Sequence, residues 1–379
     1  LQTAASPVTA VVIPYVFLPP KNGGHQAGYG ICQALGREVP TICISSFGNA
    51  TGSYAFQLEF AFRKGMTKYF SPMVAWRCYR ILKAARVRHC IAQQPFIVPL
   101  LLPILALSGI SLLVYAHNIE YRRFRSMDKW WWRIVWGVEW LVYRLANQVL
   151  FISAEERIAA IAEFGLDPKK CVDVPYGVAR KTPPSELERQ AARHEVAAAH
   201  GFKETERWIL FFGPQNYQPN LEAVLFIAQE LAPLLKTQSN IDYRILICGG
   251  SLPSEYQKLE AYRQYNLEYL GFVENIDQYV LAADVVLNPI LKGAGVKTKV
   301  LEAIALGKTV VSTESGAFGI QKQVCGEQLI VVADHDMTAF ADAILRCFAL
   351  ENQTTPVGFY DYYYRDNVVK DLLPILKKT

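Results

Sequence analysis

The stretch Asn288 to Ile320, N-P-I-L-K-G-A-G-V-K-T-K-V-L-E-A-I-A-L-G-K-T-V-V-S-T-E-S-G-A-F-G-I, constrains the fold of this chain more than any other. The apolar run Val285–Leu287 leads into it as a strand that ends at Pro289. A loop with Gly293 and Gly295 follows. A helix is predicted from near Thr298 to Gly307, since glycine is favoured just past a helix end. A second apolar run, Thr309–Thr313, reads as the next strand. Strand, glycine loop, helix and strand together place a helix N-terminus at the mouth of a parallel sheet, where anions bind.

Lys297 and Lys299 sharpen this reading. Cations at a helix start oppose the helix dipole, at about 0.3–1 kcal/mol each. A bound phosphate or diphosphate would reverse that sign. Glu302, four residues beyond Thr298, offers an acceptor for sugar hydroxyls. Backbone amides and ammonium groups for a diphosphate, with a carboxylate for a ribose, describe a nucleotide-sugar site. The plainer alternative is a helix with a solvated basic start.

The chain's 379 residues suffice for two domains of ordinary size. Hydrophobic residues make up 51% and aromatic residues 12%, which excludes a disordered chain and supports a substantial core. The net charge of +5 is unevenly spread: residues 1–180 carry 20 Lys and Arg against 10 Asp and Glu, the remainder 19 against 24. A basic N-terminal half suggests an anionic partner, either a membrane surface or a phosphorylated substrate. No nucleic-acid-binding motif is present.

The eight cysteines show no C-x-x-C pair, and several lie in strand-like apolar runs such as T-I-C-I around Cys43. They read as reduced core residues of a cytosolic protein, with no metal site. The chain begins at Leu1, so its natural start is expected to be missing or altered, and no secretory signal is visible. Cys90 to Ala116 contains no Lys, Arg, Asp or Glu. Pro95, Pro99 and Pro103 nevertheless favour strand 89–93, a buried helix over about 99–107 and strand 110–115 above a membrane span.

Along the chain, the first strand is predicted at 8–14. A proline and glycine loop with Gly23 and Gly24 leads from it into a helix, and those glycines permit close backbone approach to a ligand. T-I-C-I-S-S is the next strand. Residues 55–88 read as helical and basic, either as an ordinary solvated face or as an acidic-lipid contact. His117-Asn118 stand at the C-terminal edge of the strand L-L-V-Y-A, the edge at which open α/β sheets bind ligands. K-W-W-W-R-I-V-W-G-V-E-W (129–140) is dense in tryptophan. It fits a helix packed on the sheet or one lying in a membrane interface. Ser153 and Glu156 have capping-box spacing. Residues 172–178 close the first domain, and 180–206 read as linker and helix. The second domain opens with W-I-L-F-F-G-P-Q-N-Y-Q-P-N, whose loop Gly213–Asn220 faces the ligand side. A helix is predicted over 360–378.

Several of these segments resemble the family 4 glycosyltransferases of the GT-B fold. G-A-G-V-K-T-K-V-L-E-A-I-A-L-G-K looks like their donor-nucleotide motif. Many members carry E-x7-E there; Glu302 matches the second glutamate, while the first falls on Ala294. H-N-I-E-Y and the loop G-x-x-x-Y-x-P-N resemble one subgroup. The resemblance implies two Rossmann-like, doubly wound α/β domains facing a cleft. Residues 1–180 would form the acceptor side and 181–355 the donor side, with a C-terminal helix, 356–379, returning to the first domain.

It further implies a retaining, metal-independent transfer of a sugar from a nucleotide diphosphate sugar to a hydroxyl of a glycan or lipid-linked acceptor. In that scheme His117 reaches the donor sugar, Glu302 the ribose, and Lys297 and Lys299 the leaving diphosphate. Gly23 and Gly24 lie between donor phosphate and acceptor. Gly213, Asn216 and Tyr217, then Gly271, Phe272 and Val273 beside the base, then Gly293, Gly295 and Val296 complete the donor contacts. Glu120 and Arg122 order their loop. No cofactor is expected beyond the donor itself. The expected location is cytoplasmic and peripheral to an anionic membrane. Two alternatives stand beside this: a GT-B-shaped nucleotide-sugar epimerase or hydrolase, and a non-catalytic subunit that docks on a membrane or partner. Ala294 favours the last, whereas the retained Gly293, Gly295, Lys297 and Glu302 oppose it.

Overall fold

Most strands of the chain are short, nearly unbroken apolar runs, as sheets covered on both faces require. The computed structural model describes residues 7–20, 23–349 and 354–377. Among them are two all-parallel sheets, of seven and six strands. The chain divides into two compact units. The first holds the chain up to Ala179, with Ala294–Val296 and everything from Tyr362 onward; the second holds Arg180–Gly293 and Lys297–Asp361.

The first unit runs β1 (Val8–Ile13), α1 (Gly23–Glu38), β2 (Thr41–Ser46), β3 (Gln57–Phe62), α2 (Pro72–Ala84), β4 (Val87–Gln93), α3 (Val98–Leu107), β5 (Ser111–Ala116), α4 (Glu120–Ser126), α5 (Trp132–Leu145), β6 (Gln148–Phe151), α6 (Ala154–Phe164) and β7 (Cys171–Asp173). The strand order is β3-β2-β1-β4-β5-β6-β7. Side chains alternate across the sheet. Ala10 and Val12 of β1 meet Cys78 of α2, Leu101 of α3, Val142 of α5 and Phe164 of α6 in one core layer. Val11 and Ile13 point the other way, into a layer with Ile31 and Leu35 of α1.

Residues 55–88 differ from the expected continuous helix. Q-L-E-F-A-F forms β3 at the sheet edge, paired with β2 through Leu58 and Cys43, and the helix begins only at Pro72. An edge strand is partly exposed, so Gln57 and Glu59 interrupt its apolar run and it reads poorly as a strand. The uncharged stretch 90–116 is the strand, helix and strand expected of it, with Pro103 inside α3. No helix of the described residues is long and apolar enough to cross a membrane.

The second unit runs α7 (Glu186–His200), β8 (Arg207–Phe212), α8 (Gln218–Phe226), α9 (Ala232–Gln238), β9 (Tyr243–Cys248), β10 (Leu267–Gly271), α10 (Ile276–Ala282), β11 (Val285–Asn288), α11 (Thr298–Ala305), β12 (Thr309–Thr313), α12 (Lys322–Cys325), β13 (Leu329–Val332) and α13 (Met337–Ala349). A π-helical stretch, Ile227–Leu231, joins α8 to α9. The strand order is β10-β9-β8-β11-β12-β13. Its core joins Phe211 of β8 and Leu287 of β11 to Val224 of α8 and Phe340 of α13.

The expected C-terminal helix is three short ones: α14 (Val357–Tyr363), α15 (Arg365–Lys370) and α16 (Leu373–Leu376). Tyr364 is extended between the first two, and Pro374, which lacks an N–H, stands in the first turn of the third. Val368, Val369, Leu372 and Leu376 join the α1-side core layer of the first unit.

Candidate functional site

In the second unit the chain turns outward in opposite directions from β8 and β11, which are neighbours. Loops leaving such a switch point frame the ligand crevice of open α/β sheets. The loop after β8 carries Gly213 at φ +144°, where an added methyl would come within 2.7 Å of Asn220 Nδ2. Only glycine fits there, and the Asn220 amide in turn donates to Pro214 O at 3.0 Å. The loop after β11 carries Gly293 at φ +104°, where a methyl would meet the Tyr217 hydroxyl at 2.8 Å. The two glycine loops are therefore packed on each other.

Lys297 is the N-cap residue of α11, and its ammonium donates to Gly293 O at 3.2 Å. Lys299, in the first helical turn, points back to the sheet. Its Nζ donates to Phe212 O and to Asn220 Oδ1, both at 3.3 Å, and lies 4.3 Å from the centre of the Phe211 ring. Burial, with help from the neighbouring Lys297 charge, pushes Lys299 down to about 7. Glu302 lies one turn further along α11 and is half-buried. Beside these loops, Gly249 N–H donates to Gly271 O at 2.7 Å, and the Tyr269 hydroxyl donates to Gly249 O at 2.9 Å. Phe272 follows and is exposed, while Val273 is half-buried. Asn216 is exposed on the β8 loop.

The first unit has its own switch point, between β1 and β4. Gln93 ends β4, and His117 follows β5. The His117 Nε2–H donates to Gln93 Oε1 at 2.7 Å, because an amide oxygen can only accept. Its ring lies 4.5 Å from that of Tyr115. Burial pushes His117 down to about 4, so the imidazole is neutral at pH 7. Gly23 and Gly24 are not in a loop but in the first turn of α1.

A set of carboxylates holds the chain just after His117. Asn118 Nδ2 donates to Glu120 Oε1 at 2.6 Å, and Glu120 pairs with Arg123 at 2.9 Å. Glu139 of α5 accepts the backbone N–H groups of Glu120 and Tyr121 at 2.8 and 2.9 Å and the Tyr143 hydroxyl at 3.0 Å. Glu156 accepts Ile119 N–H at 3.0 Å, while its own N–H is capped by Ser153 Oγ at 3.2 Å. Arg122 Nε donates to Glu163 at 2.9 Å. Burial pushes Glu139 up to about 8 against the pull of its three donors. Glu120 and Arg122 thus order the loop, as expected of them.

The structure gathers Gly213, Tyr217, Gly293, Lys297 and Lys299 into one cluster, with Gly271 and its neighbours alongside. Gly295 and Val296 group with the first unit, as do His117, Gly23 and Gly24. Sequence reasoning missed Gln93, Asn220 and Glu139. Asn220 stood inside the quoted loop motif; Gln93 and Glu139 carried no local signal. Among the described residues, no three His, Cys, Asp or Glu side chains converge as metal ligands.

Two family models match the chain: Glycosyltransferase Family 4 over residues 40–181, and Glycosyl transferases group 1 over residues 206–349. No curated protein matches it by sequence. Among solved structures, sucrose-phosphate synthase from Thermosynechococcus elongatus is 14% identical, with a TM-score of 0.72 over 97% of this chain and 98% of that one. HepE from Anabaena, solved in complex with UDP and glucose, is 14% identical, with a TM-score of 0.69 over 98% and 100%. WaaG, a glycosyltransferase involved in lipopolysaccharide biosynthesis, is 15% identical, with a TM-score of 0.65 over 96% and 95%. The fold of this chain is GT-B. The chain belongs to family 4 of the glycosyltransferases, and its reaction class is sugar transfer.

Proposed function

We propose that this glycosyltransferase takes a sugar from a nucleoside-diphosphate donor and passes it, with retention, to a hydroxyl of a glycan or lipid-linked acceptor without a metal ion. Lys299 carries the reading. A lysine drawn down to about 7 at the sheet's switch point, beside Lys297 and two glycine loops, is a group that a bound anion would return to full charge. HepE, a structural neighbour, is solved with UDP-glucose, which is a donor of this class.

In this mechanism the bond from the anomeric carbon to the diphosphate oxygen breaks. A bond from the same carbon to the acceptor oxygen forms on the same face. The acceptor proton passes to the departing diphosphate oxygen, so no protein nucleophile is needed. Lys297, Lys299 and the loop amides stabilise the charge developing on that oxygen. Glu302 holds the ribose, and His117, whose Nε2–H is taken by Gln93, accepts a donor-sugar hydroxyl at Nδ1. A cytoplasmic location belongs to the same reading: all eight cysteines are free.

The test is a thermal-shift panel of UDP, GDP, ADP and dTDP with their common sugars. A ligand at 100 times its Kd adds about 2.7 kcal/mol to stability, a visible shift. One nucleotide is expected to shift the melt, with the shift lost in Glu302→Ala. No shift from any of them overturns the donor site.

A further inference from the structure

Helix α5 carries apolar side chains on its inner face and on its outer face. Inward lie Val135, Val142 and Tyr143, all buried in the sheet's core layer. At 3.6 residues per turn, Arg133, Ile134, Gly137, Leu141, Arg144 and Leu145 share the opposite side. Ile134 is 62% exposed, Leu141 42% and Leu145 50%. A methyl placed on Gly137 would meet nothing within 4 Å, so none of the described chain lies over the middle of this stripe. Just before the helix, Trp130 is 80% exposed.

The surroundings are cationic and aromatic. Residues 122–145 contain six Lys and Arg against two acids, Asp128 and Glu139, and Glu139 is buried. At the border of the stripe, a cavity of about 400 Å³ is lined by Tyr121, Arg125, Trp132, Arg133 and Trp136. The guanidinium groups of Arg125 and Arg133 lie 5.4 and 5.0 Å from the centre of the Trp132 ring. Guanidinium groups seated on tryptophan faces can meet phosphates while the rings enter an apolar layer.

We infer that the outer face of α5 docks on an anionic lipid bilayer, with Ile134, Leu141, Leu145 and Trp130 entering the headgroup–acyl boundary and Arg125, Lys129 and Arg133 meeting lipid phosphates. Charge decides the occupant. A second copy of this chain would press like charges together across the stripe. An anionic membrane answers the cations and the exposed aliphatics at once. The inference does not depend on the sugar-transfer mechanism, because its readout is binding.

Flotation of the full chain with phosphatidylcholine vesicles, with and without about one-third phosphatidylglycerol, tests it. Flotation is expected with the anionic vesicles and should weaken as salt is added. Ile134→Ser/Leu141→Ser/Leu145→Ser should abolish it in a chain that still unfolds cooperatively at a somewhat lower temperature, since these side chains are only partly covered. Lys129→Ser/Arg133→Ser should lower the partition coefficient roughly 25-fold, about five-fold per charge. No flotation on anionic vesicles at low salt overturns the inference, as does flotation unchanged in both variants. A wild-type dimer that the triple substitution dissociates also overturns it and assigns the face to a second copy.

Discussion

An ammonium group buried away from water, with a second ammonium nearby, is relieved by losing its proton. Lys299, lowered to about 7, is therefore partly neutral in the empty protein above that pH. A bound diphosphate would restore its charge. Nucleoside-diphosphate binding is expected to take up to one proton above pH 7, and affinity should fall by up to about tenfold per pH unit there. Calorimetry in two buffers of different ionisation enthalpy reads that proton; an affinity constant from pH 7 to 9 would refute the role. For stability the sign is opposite to that of a paired lysine. The unfolded side chain stays protonated to about pH 10.4. The empty protein therefore gains stability from this group as pH rises from 7 toward that value. Lys297→Ala should lower turnover by about 10²–10³, and near wild-type kinetics would remove it from the site. His117 is neutral at pH 7, so it can offer one hydrogen bond and no charge. Losing such a bond is worth about 1 kcal/mol. His117→Ala should accordingly slow transfer about five- to tenfold; its melt should fall as well, because the buried Gln93 loses its partner, so the rate is compared at a temperature where both proteins are folded.

At the level of elements, α5 does two jobs. Its inner carboxylate, Glu139, accepts the two N–H groups that open α4, and so fixes the backbone just beyond His117. Glu139→Ala would leave those donors and the Tyr143 hydroxyl unpaired. At about 1–3 kcal/mol for each of these three buried orphans, a loss of at least about 3 kcal/mol is expected in a denaturant titration; a loss under 1 kcal/mol would mean water replaces the carboxylate. The loop, helix and strand between Pro289 and Thr313 were legible in the sequence because the cues are local: loop glycines, the glycine past the helix end, helix period and strand run. The supports of the His117 loop were not. Gln93 and Glu139 meet their partners across 24 and 18 or 19 residues, and a lone glutamine or glutamate gives no sign of that. β3 is hard to see in the sequence because Gln57 and Glu59 break its short apolar run. Gly23 and Gly24 looked like loop residues, since glycine in a first helical turn has the same signature. The tail was read as one helix because apolar spacing continues through Tyr364, where the backbone does not.

At the level of the whole molecule, the first unit is built from both ends of the chain. It is left at Ala179 and rejoined at Tyr362. Val178 exchanges two backbone hydrogen bonds with the returning segment: its N–H donates to Tyr363 O at 2.7 Å, and its O accepts from Arg365 N–H at 3.0 Å. Arg37 pairs with Asp366 at 2.9 Å. Val368, Val369, Leu372 and Leu376 bury fully or nearly so. At about 1.5–3 kcal/mol each, their burial approaches the whole stability of a domain. A chain ending at Tyr364 should therefore lose the first unit's fold while the second unit keeps its own. Tryptophan fluorescence separates the two, since six of the seven tryptophans precede Ala179. Native emission from the shortened chain would refute the prediction. During synthesis, a ribosome has finished residues 1–179 long before it supplies the strip that completes their core. At 5–20 residues per second, the wait is roughly ten to forty seconds, and the entire second unit is made within it. The apolar face beside α1 must stay open through that interval, exposed to chaperones and proteases. A stop codon or protease cut close to the end of the chain would thus be felt at its beginning.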